Sequence, residues 1–133
     1  MPRIKHIAIR TPDPEKTAQF YINVFGMEEV GKAGSGLYLS DGYINLAILR
    51  SIDEGKEESV RDVAGYAGID HLGFMVEDMD EIKEKLEAEG ARAMNMRINV
   101  GGHEGEGRGY YEEKFRGPDE QVIDVSGSGW IGT

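Results

Sequence analysis

The chain has 133 residues, enough for one domain and too few for two ordinary ones. It contains no cysteine, which excludes disulfides, thiolate metal ligands and a cysteine nucleophile. Its formal net charge of −10 repels phosphate backbones and anionic lipid, and no Lys/Arg-rich stripe with interleaved aromatics offsets that charge, so neither nucleic acid nor a membrane surface is an expected partner.

The first ten residues, MPRIKHIAIR, lack the apolar stretch and cleavage site of a secretory signal. No apolar run is long enough to span a bilayer, and the expected location is the cytoplasm. Ile4–Ile9 is a short apolar run centred on His6 and is predicted as a strand. Asp13 can cap a helix that begins at Pro14, and Ala18, Tyr21, Ile22 and Phe25 fall at helical spacing before Gly26 ends it. Three strand-like pieces follow, at 28–32, 36–39 and 43–49, with the turn Ser40-Asp41-Gly42 between the last two. The acidic segment Asp53-Glu54-Gly55-Lys56-Glu57-Glu58 suits a solvated connection.

The pattern then repeats. Ile69–Val76 is an apolar run around His71, and the two histidines stand about half the chain apart. Asp78 and Glu81 have the spacing of a capping box, Met79, Ile82 and Leu86 form an apolar stripe expected to be buried, and Gly90 closes the helix. Strands are predicted at 92–98, 110–115 and 122–126, with the turn Gly117-Pro118-Asp119-Glu120 before the last. Residues 100–109, with Gly101, Gly102, Gly105, Gly107 and Gly109, break the symmetry and are expected to form a mobile lid. They do not link a strand to a helix start, so a phosphate loop is rejected.

The domain plan is a single unit: module one at about 1–52, a linker at 53–67, module two at about 68–126 and a tail at 127–133, with Trp130 folding back onto the domain. The expected fold is α+β, built from two β-α-β-β-β modules.

Strand parity says where the polar residues point. Ile7 and Ile9 share one face of the first strand, and His6 and Ala8 the other. Leu72, Phe74 and Val76 oppose His71 and Gly73, so each histidine has a small residue two positions on. Asn45 and Asp124 also face away from the helix-packed side. A lone strand histidine is most often an ordinary half-exposed residue, but two histidines and a carboxylate aimed the same way are hard to obtain by chance.

The stretches HIAIRTPDPEKTAQFYINVFGMEEV, DGYINLAIL, GIDHLGFMVEDMDEIKEKLEAEGA and FRGPDEQVIDV resemble the vicinal oxygen chelate superfamily, which includes glyoxalase I, bleomycin-resistance proteins, extradiol dioxygenases and methylmalonyl-CoA epimerase. The resemblance covers most of the chain and is specific for the superfamily rather than for one reaction. It implies that the two modules join into one curved mixed sheet with a metal-binding cup, where a divalent metal (Fe, Mn, Co, Ni or Zn) is held by His6, His71 and Asp124, with Asn45 as a fourth ligand. Asp124 stands where the family usually carries Glu, and Asn45 where it often carries Glu or Gln. Asp124 and Asn45 are also the candidate catalytic positions.

The chemistry implied is chelation of a small substrate through two neighbouring oxygens. A glyoxalase-like lyase or isomerase is placed first by overall pattern. Arg10 supports it, because it matches an arginine that contacts the glutathione glutamyl group in glyoxalase I. Against it, the neutral Asn45 cannot act as the base. An extradiol-type dioxygenase needs only two histidines and one carboxylate, and His103, Tyr110 and Tyr111 are in the right half of the chain to handle protons. Tyr110 and Tyr111 face opposite ways, so at most one lines the cup. A resistance-type protein that sequesters a ligand without metal is the third reading. The resemblance also implies a homodimer, with Tyr38, Tyr43 and Trp130 as interface candidates.

Overall fold

The computed structural model describes residues 1–52, 64–100 and 109–133. All of the expected lid at 100–109 except its end residues Val100 and Gly109, and most of the expected linker, together with His103, lie outside the described residues.

The chain begins with strand β1 (Arg3–Thr11) and helix α1 (Pro14–Phe25). Asp13 starts α1 as expected: its carboxylate accepts the Lys16 N–H at 3.2 Å, and Pro14 supplies a helical φ where its missing N–H costs nothing. Gly26 ends the helix at φ 70°, a left-handed backbone that glycine adopts without a Cβ clash. Strands β2 (Glu28–Ala33), β3 (Gly36–Ser40) and β4 (Asn45–Arg50) complete the first module. The second follows the same plan: β5 (Gly68–Met75), α2 (Met79–Ala88), β6 (Arg92–Val100), β7 (Tyr110–Arg116) and β8 (Val122–Ser126). Asp78 caps α2 by accepting the Glu81 N–H at 3.0 Å. The reciprocal half of the expected capping box is replaced by a Glu81–Lys85 ion pair at 2.9 Å.

All eight strands form one sheet in the order β2-β3-β4-β1-β5-β8-β7-β6. β1 pairs with β5 antiparallel at the centre, so the two modules join within one chain. Each module is parallel at its inner pair, β1 with β4 and β5 with β8, and antiparallel outside it. The curled sheet presents one face to the helices and the other to a cup.

The core beneath α1 is built from Ala18, Leu37, Leu39, Leu46 and Ile48, with Ile7, Ile9, Tyr21 and Ile22 packed against it. One expectation about the helices needs correction: Met79, Ile82 and Leu86 on α2 are half-buried rather than buried. On α1, Phe25 shares the helical spacing of the core stripe yet is 68% exposed. Helical periodicity fixes which residues share a face but not how closely the sheet approaches that face.

Candidate metal centre

Four central strands carry the site. In the hydrogen-bonding register, Asn45 on β4 stands beside His6 on β1, His6 beside Gly73 on β5, and Gly73 beside Asp124 on β8. His71 lies one step along, beside Ala8. Parity therefore turns His6, His71, Asn45 and Asp124 to the cup, where all four are buried. The ladders also correct one correspondence. Asp124 pairs with Gly73 as Ala47 pairs with Ala8, so Ala47, not Asn45, is the counterpart of Asp124. The connections before β4 and β8 differ in length, so register could not be counted from the turns.

One ligand atom from each of His6, His71 and Asp124 lies within 4.8 Å of the others. His71 Nε2 is 3.3 Å from His6 Nε2 and 3.2 Å from Asp124 Oδ2, and His6 Nε2 is 3.9 Å from that oxygen. The other ring nitrogens are engaged elsewhere. His6 Nδ1 meets Asn45 Oδ1 at 2.8 Å, while the Asn45 amide N–H donates to the Ile131 carbonyl at 2.8 Å. Asn45 Oδ1 is thus the acceptor, and His6 donates from Nδ1. His71 Nδ1 meets the Asp70 carboxylate at 2.8 Å. Two imidazole lone pairs and a carboxylate oxygen consequently converge on one point. Three such groups so close could hold a cation among them, and the nitrogen-plus-oxygen donor set suits a divalent metal with positions left open. Both polar ends of Asn45 are committed to His6 and Ile131, so it holds the His6 ring instead of extending toward that point.

The tail completes the cup. Trp130 is 1% exposed and stacks on His6, with ring centroids 4.8 Å apart and planes 8° from parallel. Its Nε1 donates to Glu112 at 2.8 Å. Space for it comes from Gly73, where a Cβ would lie 2.8 Å from Trp130 carbons and from His6 Cβ. This explains the small residue two positions after His71. As interface candidates, Trp130 and Tyr38 are corrected, since both are buried inside the subunit, whereas Tyr43 is 47% exposed.

Two charged residues of β7 also face the cup. Lys114 Nζ donates to both oxygens of Asp124, at 2.8 and 3.0 Å, and lies 3.5 Å from Glu112. Alternation along β7 puts Tyr110, Glu112 and Lys114 on one face and Tyr111, Glu113 and Phe115 on the other. The same alternation that separates Tyr110 from Tyr111 in the sequence also marks Glu112 and Lys114 as cup-facing. Tyr110 packs near Ala8, Tyr38, Ala47 and Ile131 on the cup side, while Tyr111 OH approaches Gly127 and α2.

Burial shapes the protonation of these groups. It pushes His6 down to about 3, with the neighbouring His71 adding to the effect. Burial pushes the Asp124 carboxyl up, against the pull of His71 and Lys114. Burial also disfavours charge on Glu112, but Lys114 and the hydrogen bonds it receives hold its carboxyl low. Lys114 stays charged: its desolvation is outweighed by Asp124 and Glu112.

The site opens into a cavity of about 530 Å³ lined by His6, His71, Arg10, Tyr38, Glu112 and Lys114, among others. That volume suits a small molecule. Arg10 is buried in its wall, donates to the Arg50 carbonyl at 3.1 Å, and has an Nε with no hydrogen-bond partner among the described residues.

The family model described as Glyoxalase/Bleomycin resistance protein/Dioxygenase superfamily matches residues 3–125. No curated protein gives a significant match. Among solved structures, a hypothetical protein from Bacillus halodurans C-125 is 14% identical with a TM-score of 0.68, covering 94% of this chain and 93% of its own. The 2,3-dioxygenase LapB from Pseudomonas sp. KL28 is 23% identical with a TM-score of 0.68 over 98% of this chain, which spans 42% of that protein. Methylmalonyl-CoA epimerase from Mycobacterium tuberculosis is 17% identical with a TM-score of 0.67, covering 92% of this chain and 85% of its own. At these identities the structures establish the shared fold. With the family match over nearly the whole chain, they place this protein in the glyoxalase/bleomycin resistance/dioxygenase superfamily.

Proposed function

We propose that this chain is a metal-dependent enzyme that binds a small substrate through two neighbouring oxygens, with His6, His71 and Asp124 as the metal ligands. The observation that carries the reading is the convergence of three acceptors, two Nε2 atoms and one carboxylate oxygen, beside a cavity of small-molecule size. A divalent metal there supplies Lewis-acid stabilisation of charge on the bound oxygens and, when redox-active, a meeting place for O₂.

The chain's own groups prepare the site. Asn45 holds His6 with Nε2 bare. Trp130 and Ile131 close the floor of the cup against water. Lys114 keeps an ammonium at the cavity wall, where it can stabilise negative charge on a substrate oxygen.

This arrangement favours the dioxygenase-type reading over the glyoxalase-like lyase that the sequence pattern put first. The lyase needs a second carboxylate as base; Ala47, the counterpart of Asp124, has none, and Asn45 is neutral with both polar ends committed. Two histidines and one carboxylate suffice for the dioxygenase. The reading also includes a homodimer, supported by Phe20, Val24 and Phe25, which α1 leaves exposed.

A second reading, a ligand-sequestering protein without metal, has one observation behind it. Lys114 balances Asp124 with a cation of the chain's own. Metal analysis of protein purified without added metal, followed by activity assays, separates the readings. Bound iron with O₂ uptake on catechols supports the dioxygenase. Nickel, cobalt or zinc with turnover of the glutathione hemithioacetal of methylglyoxal returns the lyase to first place. Protein that holds no metal, and whose stability a chelator leaves unchanged, points to the sequestering protein.

A further inference from the structure

Neighbouring residues on a regular strand face opposite ways, so Asp70 and His71 should not both reach the cup. The β1–β5 ladder departs from that rule. Ala8 pairs with His71 and the next residue, Ile9, pairs with Ile69, so Asp70 is an extra residue in a β-bulge. A bulge re-aims side chains and recurs beside functional sites.

Asp70 is 1% exposed, and its Oδ2 is 2.8 Å from His71 Nδ1 and 3.7 Å from Arg10 Nε. Gln121 holds it from the backbone side, donating to the Asp70 carbonyl at 3.1 Å. An ionised carboxylate only accepts, so the ring proton of His71 sits on Nδ1 and the Nε2 lone pair is left for the site. Arg10 Nε makes no hydrogen bond among the described residues, and at 3.7 Å it supplies charge to Oδ2, whose 2.8 Å hydrogen bond is with His71.

We propose that Asp70 is the positioning residue of this site: carried inward by the β-bulge and charge-balanced by Arg10, it fixes His71 with Nδ1 protonated and Nε2 presented to a cation. The proposal deepens the reading of the same site and depends on that reading only for the role of the cation. A carboxylate behind a ligating imidazole orients the ring and raises its basicity, and its loss lowers metal affinity by about 10- to 100-fold.

The test begins with metal-free, ¹⁵N-labelled wild-type protein and needs no variant to fold. Long-range ¹H–¹⁵N spectra of the histidine rings should show a protonated, slowly exchanging Nδ1 on His71; a bare Nδ1 there overturns the proposal. In Asp70→Asn the amide can donate to the ring, and the His71 Nδ1–H signature should be lost while that of His6 remains. Zn(II) titration of Asp70→Asn should show affinity reduced about 10- to 100-fold, with partial recovery in Asp70→Glu. An unchanged His71 signature with affinity within about twofold of wild type overturns the proposal, since a purely structural role moves neither readout. If wild type shows the His71 Nδ1–H, Asp70→Asn loses it and neither binds Zn(II), the role of Asp70 stands and the metal reading falls.

Discussion

His6 and Trp130 lie face to face, 4.8 Å between ring centroids and 8° from parallel, with Trp130 Nε1 tied to Glu112. Trp130 is the sole tryptophan of the chain, so its emission reports directly on the candidate metal centre. Open-shell ions quench a nearby indole and closed-shell Zn(II) does so weakly. Ni(II) or Co(II) should therefore quench emission to a plateau at one ion per chain. Zn(II) should compete the quenching away, and His71→Ala should abolish the plateau while keeping native circular dichroism. Quenching that rises without saturation, or persists unchanged in His71→Ala, would place the ions elsewhere.

Metal binding should depend on pH through Asp124. Burial raises its folded pKa to about 7, so at lower pH the carboxyl holds a proton that a cation must displace. Affinity should fall as the pH drops below that value and level off above it. With one proton displaced, the Zn(II) affinity at pH 8 should exceed that at pH 6 by about tenfold. His6, depressed to about 3, stays neutral across this range and adds no step. A flat profile from pH 6 to 8 would remove Asp124 from the ligand set.

Lys114 is the counter-charge of two buried carboxylates, with Nζ 2.8 Å from Asp124 Oδ1 and 3.5 Å from Glu112. Lys114→Met leaves both carboxylates without it. Breaking a buried pair from one side costs about 3–5 kcal/mol, so metal-free Lys114→Met should lose that much stability in urea. A divalent ion placed against Asp124 replaces part of the missing charge. Zn(II) should therefore stabilise Lys114→Met more than it stabilises wild type. Equal stabilisation of both would separate Lys114 from the cation site.

Gly73 leaves room where a Cβ would lie 2.8 Å from Trp130 and from His6 Cβ. Overpacking of this kind costs about 1–3 kcal/mol. Gly73→Ala should lower the melting temperature and shift Trp130 emission to the red, as the indole is displaced from its stack. Unchanged emission and stability would mean that the tail does not depend on this contact.

Trp130→Phe keeps an aromatic ring for His6 but removes the N–H that Glu112 accepts at 2.8 Å. A buried acceptor losing a partner costs about 1–3 kcal/mol. The loss should be readable by urea denaturation followed by circular dichroism. A neutral result would mean that Glu112 is served fully by Lys114.

The sequence by itself determined what local rules govern. Proline geometry and side-chain capping fix Asp13-Pro14 and Asp78 as helix starts, and the two-residue strand period turns His6, His71, Asn45 and Asp124 to one face. The same period, applied to β7, was sufficient for Glu112 and Lys114. Tertiary structure alone decided what depends on partners distant in sequence. Ladder pairing joined β1 to β5 within one chain, made Ala47 rather than Asn45 the counterpart of Asp124, and made the bulge that brings Asp70 inward against parity. The tail stacked Trp130 on His6 and committed Asn45 to Ile131. A strand's faces follow from its own backbone, whereas its register and its neighbours are set by hydrogen bonds and packing that only the folded chain brings together.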